Sequence, residues 1–244
     1  MLFRSLGASL FAAALAWAFW QERHRRALAQ LAHAREMESV RQTFGRFVTP
    51  EVAEEALAGR LSTQGEARDV TVLFADLRGF TPLTASLPPQ RLVELLNAWL
   101  TEMVAAIEAE GGVVNKFIGD AVVAIFGAPR AQPDHAERAV RAARRMAAAT
   151  RAVAERHGQA LRAGVGVNSG TVIAGPVGAA SRMEYTVIGE VVNVAARVEA
   201  LTRTLDVDVL VADDTVARLG SHGLRDRGTH ALKGVPTPVR VWEA

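Results

Sequence analysis

Two carboxylates and an ammonium group interrupt or border apolar stretches of this 244-residue chain. Asp76 ends the apolar run Val70-Thr-Val-Leu-Phe-Ala75, and Asp120 sits in a turn between the runs 113–118 and 121–126. Of 28 basic residues only Lys116 and Lys233 are lysine, and Lys116 lies inside one of those apolar runs. Where arginine is the default, a lysine in a strand points to a site that needs a compact ammonium rather than a planar fork. Asp76 alone also fits a helix N-cap, and Gly119-Asp120 alone is ordinary turn chemistry. Two carboxylates at the ends of neighbouring strands are different: they repel unless a cation sits between them. Hard divalent ions such as Mg²⁺ take that arrangement, completed by substrate phosphates.

The elements that must position these groups are legible from periodicity and turn residues. Val70–Ala75 reads as a strand, 89–110 as a helix with Leu92, Leu95, Leu96, Leu100, Met103 and Ile107 on one side, and 113–126 as a β-hairpin. Asp134-His-Ala-Glu137 reads as a capping box that opens a long Ala/Arg helix to His157. Leu161–Val167 reads as a strand with Gly170–Ala174 as its hairpin partner. The order β-α-β-β-α-β predicts an α+β fold with a ferredoxin-like core, an antiparallel sheet with helices on one face. That topology makes the first strand and the hairpin neighbours, so Asp76 meets Asp120. Gly79-Phe80-Thr81 leads into a helix whose backbone N–H groups suit phosphate oxygens. Tyr185–Glu199 runs from a strand into a helix, with Asn193 and Arg197 four apart on one face. Arginine grips a phosphate bidentately, and asparagine orients a sugar or ring oxygen. Lys233 falls in a Gly/Pro turn before an edge strand.

Composition narrows the class further. The absence of cysteine excludes a disulfide framework and a thiolate nucleophile or metal site. Residues 1–48 hold seven arginines against three glutamates, a balance of +4, and the rest balances at −2, so no nucleic-acid partner is expected. Ser5–Trp20 is an uncharged, mostly apolar run followed by Glu22-Arg-His-Arg-Arg26. Residues 1–20 therefore read as a membrane anchor, with the arginine-rich side cytoplasmic. A cleaved signal peptide and a buried helix are the rivals. Residues 21–65 read as a helical connector, either a weak coiled coil interrupted at Arg41 or a solvated linker, and residues 66–244 as the functional domain.

The chain from about residue 66 resembles the class III nucleotidyl cyclases. The resemblance rests on Phe74-Ala-Asp-Leu-Arg-Gly-Phe-Thr81, Asn115-Lys-Phe-Ile-Gly-Asp120, Tyr185-Thr-Val-Ile-Gly189 with Asn193-x-x-x-Arg197, and Leu232-Lys-Gly234, in the family's order. Phe44–Val52 resembles the connector that precedes many bacterial members. The resemblance implies that Asp76, Asp120 and the Leu77 carbonyl bind two Mg²⁺ or Mn²⁺ ions per active site. It implies that Lys116 and Thr186 read the purine, Asn193 holds the ribose, Arg197 stabilises charge at the α-phosphate and Lys233 contacts the terminal phosphates. It further implies a head-to-tail homodimer. One protomer gives the metal ligands, and the other gives Lys116, Thr186, Asn193, Arg197 and Lys233.

An ammonium donates to adenine N1 and a threonine hydroxyl accepts from the N6 amino group, whereas guanine presents the reverse pattern. The chain is therefore expected to convert ATP to cyclic AMP, like the adenylyl subgroup with threonine at this position, on the cytoplasmic side of the cell membrane. Two alternatives remain: a guanylate cyclase, or an inactive cyclase-like domain that binds nucleotide or dimerises.

Overall fold

A computed structural model describes residues 50–244 apart from Thr63, Ala180 and Ser181, and, before them, Trp17, Trp20, Gln21, Arg23 and His24. The expected anchor and most of the connector lie outside the described residues. Among the described residues no helix is long and apolar enough to cross a membrane. The chain divides into two units, Met1–Pro50 and Glu51–Ala244. In the first, Trp20 stacks on Trp17 at 5.3 Å and on His24 at 5.1 Å. The rest of the description concerns the second.

That unit opens with α1 (Pro50–Leu57) and continues β1 (Glu66–Arg78), α2 (Phe80–Ser86), α3 (Pro89–Glu108), β2 (Val113–Ile118), β3 (Ala121–Phe126), α4 (His135–His157), β4 (Arg162–Ala179), β5 (Arg182–Ile188) and α5 (Glu190–Leu205). It closes with β6 (Val209–Ala212), α6 (Asp213–Val216), β7 (Arg225–His230) and β8 (Val239–Glu243). The sheet order β2-β3-β1-β4 is that of a ferredoxin-like βαββαβ core, extended by β6-β8-β7, while β5 pairs with β4. The β1–β3 register, Thr71↔Phe126 through Ala75↔Val122, brings the end of β1 to the β2–β3 turn as expected.

The two core helices α3 and α4 share one face of the sheet as expected, while α5 of the extension covers the other. Leu73, Ala75 and Leu77 of β1 pack with Trp99 and Met103 of α3 and Ala143 and Met146 of α4. The alternate residues Val70 and Val72 face Val187 of β5 and Ala195 of α5 on the other side. A continuous apolar run, without polar alternation, is what a strand buried on both faces requires. The sheet is mixed rather than antiparallel, because β6 runs parallel to β4. Residue 233 precedes β8, which lies between β6 and β7; the edge strand is β7.

Two further readings change. Residues 161–174 form no hairpin, because Asn168-Ser-Gly170 continues as the middle of the 18-residue β4. Its polar side chains find partners across the sheet: Ser169 Oγ lies 2.7 Å from Thr71 Oγ1 and donates to Thr215 Oγ1 at 2.9 Å, and Thr71 Oγ1 lies 2.7 Å from His135 Nδ1. Satisfied in this way, buried polar groups do not force a turn. The capping box is also absent. Asp134 is the N-cap of α4 but makes no side-chain cap bond, and its carboxylate accepts from Arg138 Nε at 2.7 Å. A charge-assisted bond to a guanidinium is stronger than one to a neutral amide.

Helix α5 lies directly on the β4 backbone at Gly164 and Gly166. A Cβ at Gly166 would stand 2.6 Å from the Ala195 carbonyl oxygen and closer still to the Glu199 amide. The obstruction is backbone, which cannot rotate away, so the helix itself would have to lift. Gly166→Ala is expected to cost about 2–3 kcal/mol in a denaturation midpoint. At Gly220 the nearest atom to an added Cβ is a flexible carboxylate oxygen at 3.7 Å, and Gly220→Ala is expected to stay within about 0.5 kcal/mol of wild type.

Candidate active site

Asp76 stands two residues before the end of β1, and Asp120 follows Gly119 in the β2–β3 turn. With Leu77, Gly79, Phe80, Pro82 and Arg203 they line an open cavity of ≈ 430 Å³. Gly79 takes φ +75°, a left-handed conformation that β-branched residues avoid, and so turns the chain sharply from β1 into α2. Thr81 follows in α2.

The electrostatics of this cavity are those of two acids forced together. Partial burial, then the Asp120 charge and a hydrogen bond shared with Asp120, push Asp76 up to about 6, while Arg203 and the Leu77 amide oppose the shift. Glu199, one helical turn before Arg203, is pushed up to about 7, first by burial and then by the Asp76 charge. At neutral pH the pair is unfavourable without a cation. Among the described residues no group of three or more His, Cys, Asp or Glu is arranged so that it could hold a metal ion by itself. A donor set of two carboxylates and backbone carbonyls is too small for a closed protein cage. It fits a hard divalent ion that retains waters and takes phosphate oxygens.

The remaining candidate residues do not line this cavity. Lys116, half-buried on β2, pairs with Glu184 of β5 at 3.0 Å. Thr186 of β5 donates its hydroxyl to Asn115 Oδ1 at 3.2 Å, and Asn115 Nδ2 donates to the Tyr185 carbonyl at 2.8 Å. Asn193 and Arg197 are exposed one turn apart on α5, and Lys233 is exposed in the β7–β8 connection. The two carboxylates thus face one cavity, and these five residues lie outside it.

Asn115, Glu199 and Arg203 were not singled out by sequence. A Glu-x-x-x-Arg spacing on a helix reads as an exposed ion pair, and only the packing of α5 on Gly164 and Gly166 places Glu199 inside. Asn115 carried no signal, because its role depends on an irregularity in β2.

A family model for the adenylate and guanylate cyclase catalytic domain matches residues 63–242. The chain belongs to this cyclase family. An uncharacterized protein of Mycobacterium tuberculosis is 44% identical over 217 residues, which cover 87% of this chain and 39% of the relative. A second is 43% identical over 213 residues, covering 85% and 36%. The chain therefore spans about two fifths of the length of the curated relatives it matches. Among solved structures, the adenylyl cyclase CyaB from P. aeruginosa aligns with a TM-score of 0.68 and 32% identity over 73% of this chain and 94% of that one. The guanylyl cyclase Cya2 aligns with 0.67 and 34% over 73% and 92%. The cyclase domain thus resembles an adenylyl and a guanylyl enzyme equally well, and overall similarity does not choose its base.

The carboxylate pair yields a signed prediction for the cyclase domain. A native-state value near 6 for Asp76 lies above the ordinary 3.8, so the folded protein holds this proton more tightly than the unfolded one. Its contribution to stability therefore falls as pH rises through that window. Asp76→Asn removes the repulsion. In chelator at about pH 7.5 it is expected to raise the thermal midpoint, and below about pH 4, where the aspartate is itself neutral, the gain should vanish. Added Mg²⁺ should raise the midpoint of wild type more than that of the variant. No gain at neutral pH would mean that the carboxylates do not oppose each other.

Proposed function

We propose that this cyclase is an adenylate cyclase, converting ATP to 3′,5′-cyclic AMP and pyrophosphate at active sites shared across a head-to-tail homodimer. The observation that carries the reading of the base is that β2 presents an ammonium, Lys116, and β5 a hydroxyl, Thr186, each tied to the other strand, through Glu184 and Asn115 respectively. Lys116 offers only protons and suits adenine N1, and Thr186 accepts from the N6 amino group. Asn193 orients the ribose, Arg197 grips the α-phosphate, and Lys233 holds the terminal phosphates. Backbone amides at Gly79, Phe80 and Thr81 approach the phosphates from the other protomer.

Asp76, Asp120 and the Leu77 carbonyl would hold Mg²⁺ or Mn²⁺. When bound, such ions neutralise phosphate charge and lower the pKa of a coordinated hydroxyl. The ribose 3′-oxygen gives its proton to solvent water in the open cavity and forms a bond to the α-phosphorus, and the bond from that phosphorus to the pyrophosphate oxygen breaks in line. Arg197 meets the charge that develops at the α-phosphate, and Lys233 that on the departing pyrophosphate. The sharing of sites is supported by the separation of the two residue sets, since none of Lys116, Thr186, Asn193, Arg197 and Lys233 lines the carboxylate cavity. The uncharged run from Ser5 to Trp20, with arginines behind it, supports attachment to the cell membrane with this domain cytoplasmic.

Complementation tests the shared site. Asp76→Ala and Arg197→Ala should each lower cyclic AMP formation by about a hundredfold or more. Mixed, they should recover about a quarter of wild-type activity, because half the dimers are mixed and each carries one intact site of two. No recovery overturns the shared-site arrangement. For the base, Lys116→Glu should lower kcat/KM for ATP by about tenfold or more, because the site then meets adenine N1 with an acceptor. Unchanged turnover removes the role of Lys116, and a wild type that makes only cyclic GMP replaces adenylate with guanylate.

A further inference from the structure

Strand β2 contains a bulge that places Asn115 where a regular strand would not. The β2–β3 register runs Val113↔Ile125 and Val114↔Ala124, then resumes at Lys116↔Val123, so Asn115 is an extra residue without a partner on β3. Consecutive residues of a regular strand point to opposite faces. Across the bulge, Asn115 and Lys116 both reach β5, one to Tyr185 and Thr186, the other to Glu184. Bulges re-aim side chains in this way beside functional sites.

The hydrogen bonds of Asn115 have a fixed polarity. The Tyr185 carbonyl can only accept, so the group facing it must be the amide Nδ2, here at 2.8 Å. Pro176, the register partner of Tyr185 on β4, has no N–H to offer that carbonyl. With Nδ2 so committed, Oδ1 faces Thr186 and can only accept. The single hydroxyl proton of Thr186 therefore points at Asn115, at 3.2 Å, and the threonine oxygen is left with lone pairs alone.

We infer that Asn115 is a positioning residue for base choice: it holds the Thr186 hydroxyl as an acceptor, so that an exocyclic amino group is received there and a carbonyl is refused. This inference rests on the adenine reading proposed above. A free threonine hydroxyl rotates and serves either base, donating to guanine O6 as readily as it accepts from adenine N6. Tied to Asn115, it can donate to O6 only by leaving Oδ1 unpaired in a half-buried place. Such an unpaired group is the kind of penalty by which polar sites reject the wrong substrate.

The test compares kcat/KM for ATP and for GTP in the full chain, with the ratio as the readout. Wild type is expected to favour ATP. Asn115→Ala should lower the ATP/GTP ratio about tenfold, chiefly by raising use of GTP. In a Thr186→Val background, Asn115→Ala should leave the ratio where Thr186→Val alone put it, because the hydroxyl being oriented is gone. If Asn115→Ala does not fold, as judged by its thermal midpoint, the near-isosteric Asn115→Leu makes the same comparison. Equal losses on both nucleotides, with the ratio intact, would reduce Asn115 to a structural tie and overturn the inference while leaving the adenine reading in place. A wild type that favours GTP or does not discriminate defeats the adenine reading itself, before any variant is made.

Discussion

Two carboxylates held together against their mutual repulsion are the constraint on which the rest of this domain depends. Asp76 and Asp120 come from elements more than forty residues apart, and partial burial deprives them of much of the water that would screen them. Separately, each would relax into solvent. They stay together because β1 is bonded to β3 on one side and to β4 along its full length on the other, so neither the strand end nor the hairpin turn is free to move. The stability of a two-faced core is thereby spent on a local charge conflict that a divalent ion relieves.

Helix α5 supplies the second layer of this arrangement. Its backbone rests on β4 at Gly166 and its Thr202 and Glu199 side chains on Gly164, which puts Glu199 near the carboxylate pair and Arg203 at the cavity while Asn193 and Arg197 stay exposed on the same helix. One helix thus serves the carboxylate cavity with one face and offers an amide and a guanidinium with another. The same economy holds for the hairpin, where Asp120 and Lys116 belong to one short arm but to separate constellations.

Most of the core was legible from the chain alone. The helical spacing of Leu92, Leu95, Leu96, Leu100, Met103 and Ile107 marks α3, although it passed over Trp99, which the structure buries, and the apolar runs around Gly119-Asp120 mark the hairpin. The readings that failed did so where another side chain took the polar group that composition had assigned to a turn or a cap. Asn168-Ser-Gly170 has turn composition, yet it is strand because Thr71 and Thr215 satisfy Ser169 from other elements. Asp134 has the composition of a cap, yet a guanidinium one turn along takes its carboxylate. The burial of β1 on its second face was not read from the sequence; α5 with β5 is what covers it.

By itself, the sequence determined which chemical groups are present and which short elements carry them: two aspartates at strand ends, lysine in a strand where arginine is the rule, an asparagine and an arginine one helical turn apart. These follow from residue type and from periods of two and 3.6, which are properties of neighbours along the chain. Only the tertiary structure decided which groups meet. The burial of Glu199, the separation of Lys116, Thr186, Asn193, Arg197 and Lys233 from the carboxylate cavity, and the bulge that turns Asn115 onto Thr186 depend on register and on close approach between distant strands. A one-residue irregularity reverses the face of a side chain without leaving a trace in composition, and for that reason the polarity of the Thr186 hydroxyl could be read only from the folded chain.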